Sequence, residues 1–73
     1  MENDSKKRQP LKLRFYEKYL DLLPSEQKDV AVKLDFNGIA GNPFSWSVCV
    51  IEVKNNTALA NMMLKQLAME GKI

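Results

Sequence analysis

The feature that most constrains this chain is a length of only 73 residues combined with one cysteine, Cys49, and no histidine. A domain of this size buries a small share of its surface and often needs a disulfide, a metal ion or a partner for stability. One cysteine cannot form an internal disulfide, and one cysteine without histidine cannot complete a structural zinc site. The sequence therefore predicts no metal site and favours stabilisation by a partner chain.

The sequence carries no signal for a membrane span or for export. Its longest apolar run, residues 48–51, has four residues, whereas a membrane span needs roughly 18. The polar first residues lead to Lys6, Lys7 and Arg8, and no apolar core of a signal peptide follows them. Together with a single thiol, which suits a reducing compartment, these features predict a cytoplasmic protein.

Basic residues are concentrated at the start of the chain. Residues 1–14 hold five basic and two acidic side chains, a net charge of +3, whereas residues 15–73 hold six basic and seven acidic ones, a net charge of −1. We therefore expect residues 1–9 to be a disordered basic leader and residues 10–73 to be a single interaction domain. Because nucleic-acid-binding domains usually carry a basic face on their folded part, a nucleic acid is the less favoured partner.

Apolar residues at helical spacing predict four short helices. Each has a favourable first residue or N-cap, at Pro10, at Ser25, at Asn42-Pro43, and at Asn56 or Thr57. The inner faces are formed by apolar residues mostly three or four positions apart, namely Leu11, Phe15, Tyr19 and Leu22; Val30, Ala31 and Leu34; Trp46, Cys49, Val50 and Val53; and Leu59, Met62, Met63 and Leu67. Pro24, Asn37-Gly38 and Gly71 mark helix ends. The sequence therefore predicts an all-α fold, a small bundle of about four or more short helices.

Residues 44–53 also allow a second interpretation. Every second residue from Phe44 to Val50 is apolar, and several residues of this stretch are β-branched, which is typical of a strand. The alternation fails at Ile51, and the preceding Asn42-Pro43 favours a helix start. We therefore prefer a helix for residues 44–53, with a strand as the alternative.

No residue pattern in the sequence supports catalysis. The absence of histidine removes the commonest general base, and Cys49, inside an apolar run, is expected to be a buried and inert core residue. Residues 38–41 lack the lysine and third glycine of phosphate-binding loops. We therefore predict a non-enzymatic protein without catalytic residues or cofactor. Large apolar side chains are expected to fill the core, with Trp46 at its centre and methionines from the last helix, Met62, Met63 and Met69.

The order of the predicted elements resembles a known family. Leu22-Leu23-Pro24 ends a helix, and a short helix and a loop with Ile39 follow. Trp46 then lies near the start of a third helix, before the Leu59 to Leu67 helix. This order resembles the effector-associated domains of bacterial conflict systems, which look like death-superfamily helical bundles. The resemblance implies an adaptor domain that docks onto matching copies in other proteins and recruits effectors in a conflict or signalling system.

Two DNA-binding folds remain as the alternative function, that of a small transcription regulator. The spacing of Leu64, Leu67, Gly71 and Ile73 is similar to the end of a winged helix-turn-helix. Residues 11–15 alternate like the strand of a ribbon-helix-helix dimer. Against the winged-helix alternative, the last predicted helix carries Lys65 as its only cation, and its side chains offer little for reading bases.

We expect a partner protein to bind the charged faces of the first two predicted helices. If the core of so small a domain uses all of its apolar stripes, the surface left on residues 12–35 is charged and of mixed sign. The predicted partner-binding residues are Arg14, Glu17, Lys18, Asp21, Lys28, Asp29 and Lys33. Mixed signs suit a complementary protein or a second copy in a homo-oligomer, whereas the acidic side chains would repel DNA phosphates.

Overall fold

The fold combines helices with one antiparallel β-hairpin. The computed structural model describes residues 10–36 and 38–73, so the predicted leader, residues 1–9, lies outside the described residues. In chain order the elements are α1 (Leu11–Leu20), a 3-10 turn (Glu26–Lys28), β1 (Val30–Phe36), β2 (Ile39–Ser45), α2 (Trp46–Lys54) and α3 (Ala58–Met69). Across these two described ranges, none of the helices has the length and apolar character that crossing a membrane requires.

The all-α prediction is wrong, because the segment predicted as the second helix forms strand β1. Ala31, Val32 and Leu34 are buried, and the intervening Lys33 is exposed. The pairing with β2 is irregular between Val30 and Val32, and this bulge lets two consecutive side chains enter the core. Residues 31, 32 and 34 therefore mimic the spacing of a helix although the backbone is extended.

The predicted helix start at Asn42-Pro43 is also wrong, because both residues lie in strand β2. Pro43 pairs with Lys33, and a proline is tolerated in a strand at a sheet edge, where its missing N–H is not needed by a neighbour. Helix α2 begins three residues later. Ser45 is its N-cap, with Oγ accepting the Val48 N–H at 3.2 Å. Residues 44–53 are thus partly strand and partly helix.

The predicted limits of the last helix are confirmed. Thr57 is the N-cap of α3, and its hydroxyl accepts the Ala60 N–H at 3.1 Å. Gly71 follows the helix with a φ of 74°, a left-handed conformation that glycine adopts without strain. The Lys72 N–H then donates to the Leu67 carbonyl at 2.9 Å, and Ile73 folds back against the core.

One core joins the three helices to the hairpin. Its buried side chains are Phe15, Ala31, Val32, Leu34, Trp46, Cys49, Val50, Val53, Ala60, Met63, Leu64 and Leu67. The predicted core position of Trp46 is confirmed, since its ring lies 5.9 Å from that of Phe15, centroid to centroid. Of the three methionines expected in the core, Met63 is buried, whereas Met62 and Met69 are exposed.

Cys49 is fully buried, and we expect its thiol to be inert in the native protein. Burial raises its pKa from 9.0 to about 11; a backbone hydrogen bond opposes this change, and the charge of Glu52 adds to it. A thiol reagent at pH 8 should therefore label the native protein slowly and the urea-unfolded protein fast. Rapid labelling without denaturant would contradict this prediction.

The same pKa difference predicts a dependence of stability on pH. Between about pH 9 and pH 11 the unfolded chain loses the Cys49 proton while the folded chain keeps it. The free energy of unfolding should therefore fall as the pH rises through this range. The Cys49→Ala variant is the control: it should be less stable overall, with a smaller decline over the same pH range.

Candidate protein-binding surface

The outer side of α1 and α2 carries exposed apolar side chains that the core does not use. Nine large apolar side chains in the described part of the chain are exposed. Five of them lie on or beside these two helices and form what we call the outer apolar surface: Leu13, Leu20, Leu23, Val48 and Ile51. Leu20 is 81% exposed, Leu23 63% and Ile51 55%. The expectation that the core uses every apolar stripe is therefore wrong.

Two groups of hydrogen bonds set α1 antiparallel to α2. Near the start of α1, Lys12 Nζ donates to Oδ1 of Asn56, just after α2, at 2.8 Å. Near its end, the Tyr19 hydroxyl contacts Oε1 of Gln27 at 3.2 Å, and the Gln27 carbonyl accepts the Ser47 hydroxyl in the first turn of α2 at 2.9 Å. This arrangement places the end of α1, with Leu20, near the start of α2.

Helix α2 exposes apolar side chains in addition to those that it buries in the core. Trp46, Cys49, Val50 and Val53 are buried, yet the opposite side still presents Val48 and Ile51 to solvent. The helix also carries a serine, a glutamate and a lysine outside the core, so Val48 and Ile51 are two exposed apolar side chains on a mixed outer side.

A charged groove borders the outer apolar surface along α1. Arg14, Glu17, Lys18 and Asp21 follow at helical spacing on one side of α1, and Lys72 and Ile73 form the opposite wall. The groove has a volume of about 280 Å³. The structure thus brings together four of the seven predicted partner-binding residues and adds two residues from the end of the chain that the sequence did not indicate.

Internal contacts hold the cations at the wall of this groove. Arg14 Nη2 donates to the Ile73 carbonyl at 2.5 Å. Lys72 Nζ donates to the Ala31 carbonyl at 2.6 Å and lies 3.1 Å from Oε1 of Glu70. Hydrogen bonds from Gln66 and then from Lys72 lower the pKa of Glu70. These contacts hold Lys72 and Ile73, the two residues of the wall, in place.

The remaining charges of the groove are available to a partner. The side chains of Glu17, Lys18 and Asp21 make no hydrogen bond or ion pair with any other residue that the structure describes. All three are exposed. The groove therefore offers two anions and one cation that have no partner within residues 10–36 and 38–73. Beside them lies the Arg14 guanidinium, which has five N–H donors and uses only part of them for the Ile73 carbonyl.

The other three predicted partner-binding residues lie apart from the groove. Lys28 ends the 3-10 turn, and Lys33 lies on β1 opposite Pro43. Asp29 joins the turn to the strand, and its carbonyl accepts the Trp46 N–H at 3.2 Å. The prediction grouped them with α1 because it placed them on a second helix that does not exist.

Sequence reasoning missed the outer apolar surface, although one signal for it was present. Leu13 and Leu20 are seven residues apart, so they share a face of α1 that is distinct from the face of Phe15. The position of Val48 and Ile51 outside the stripe formed by Trp46, Cys49, Val50 and Val53 was a second indication. From the sequence alone, each apolar residue of this surface could have belonged to a wide core face. Only the packing of the hairpin against the helices shows that it does not.

The comparisons with known proteins add no assignment. No family model matches the chain, and neither the curated proteins nor the solved structures contain a match. Among the residues described, no group of three cysteine, aspartate or glutamate side chains is placed so that it could hold a metal ion. The argument for function therefore depends on the surface itself.

Proposed function

We propose that this chain is a non-enzymatic protein-binding domain that uses the outer apolar surface and the charged groove together. The observation that carries the proposal is the exposure of Leu20, Val48 and Ile51 on two adjacent helices of a very small domain. Exposed apolar residues scattered singly are ordinary, but a contiguous group bordered by charges is typical of protein interfaces. In such interfaces an apolar centre drives association and a polar rim sets specificity.

The signs of the charges favour protein over nucleic acid as the partner. Glu17 and Asp21 stand within the same groove as Lys18 and Arg14, so a phosphate backbone would meet acidic groups there. The ribbon-helix-helix alternative needs a strand at residues 11–15, but these residues form the first half of α1. On α3, Lys65 is a single exposed cation between uncharged neighbours, which supports little phosphate contact.

The adaptor role and the cytoplasmic location are part of the same proposal. Adaptor domains bind without chemistry, and the described groove combines opposite charges with apolar neighbours but contains no paired nucleophile and base. The buried thiol of Cys49 is consistent with a reducing compartment. Recruitment of effectors in a conflict or signalling system, which the family resemblance implies, remains a hypothesis within this proposal.

Charge reversal beside the outer apolar surface is expected to weaken partner binding. The variant carries Arg14→Glu and Lys18→Glu, and the control carries Lys28→Glu and Lys33→Glu, which change the net charge equally but lie away from the groove. Tagged wild-type chain and both variants are used to capture proteins from the cell that expresses the chain. We expect the first variant to capture at least about tenfold less of a protein that the control captures as well as the wild type does.

Circular dichroism and thermal unfolding must first show that both variants fold like the wild type. Equal loss in both variants would indicate a general charge effect and would argue against this surface. Full retention by the groove variant, with retention also by Leu20→Lys and Ile51→Lys, would refute the proposed function. Tight, salt-sensitive binding of generic duplex DNA, lost in the groove variant, would support the nucleic-acid alternative instead.

A further inference from the structure

We draw no further inference here: the strongest candidate, the outer apolar surface on the outer side of α1 and α2, belongs to the binding surface already proposed, and nothing in the structure shows what covers it.

Discussion

Replacing Trp46 by alanine is expected to remove a large share of the stability of this protein, or all of it. Trp46 is only 6% exposed and packs against the buried ring of Phe15 at the start of α2. Substitutions of this kind cost about 3–5 kcal/mol, whereas a domain of 73 residues has a total stability of roughly 4–11 kcal/mol. Thermal unfolding followed by circular dichroism should therefore show a midpoint at least about 12 °C lower, or no transition.

The matched control for Trp46→Ala is Met62→Ala. Met62 lies on α3 and is exposed, so its truncation should change the free energy of unfolding by no more than about 0.5 kcal/mol. If Trp46→Ala unfolded at the temperature of the wild type, the ring would not be part of the core. The position of α2 against α1 would then need another explanation.

Introducing a carboxylate at Val32 is the second change with a large expected effect. Val32 is fully buried on strand β1, next to the exposed Lys33. The Val32→Asp variant loses the burial of the valine and leaves a carboxyl group without a partner in the core, which together cost roughly 3–6 kcal/mol. Urea unfolding should show a much lower midpoint or an unfolded chain in water.

Lys33→Asp tests the same substitution one position further along the strand. Successive side chains of a strand point to opposite faces, so this carboxylate stays in water and the free energy of unfolding should change by less than about 0.5 kcal/mol. If both variants were equally destabilised, the assignment of Val32 and Lys33 to opposite faces of β1 would be wrong.

The last helix was predictable from the sequence, but the hairpin was not. Thr57 and Gly71 mark its limits through local rules, and these rules hold in the structure. The predicted end of the first helix at Pro24 is wrong, because α1 already ends at Leu20. The bulge at Ala31 replaces the two-residue period of a strand by a helix-like spacing. Phe36 pairs with Ile39, and Asn-Gly, the sequence between them, is the strongest local hairpin signal that a sequence can carry. It was interpreted as a helix end, which the same residues also favour.

The candidate surface was only partly predictable for a related reason. Charges on α1 could be placed on one face because helical spacing alone determines that face. Whether Leu20 or Ile51 is buried depends on which elements pack above them, and this depends on the course of the hairpin. Lys28 and Lys33 were assigned to the same surface as the charges of α1 because residues 25–34 were predicted to form a helix.

The hairpin has two edges, and each has one backbone group that is absent or already in use. Pro43, in β2 opposite Lys33, has no N–H to donate to a neighbouring strand. On β1, the Ala31 carbonyl is already occupied by Lys72 Nζ. A free sheet edge invites stacking of strands into fibrils. The proposed association through side chains of the helices does not use these strand edges.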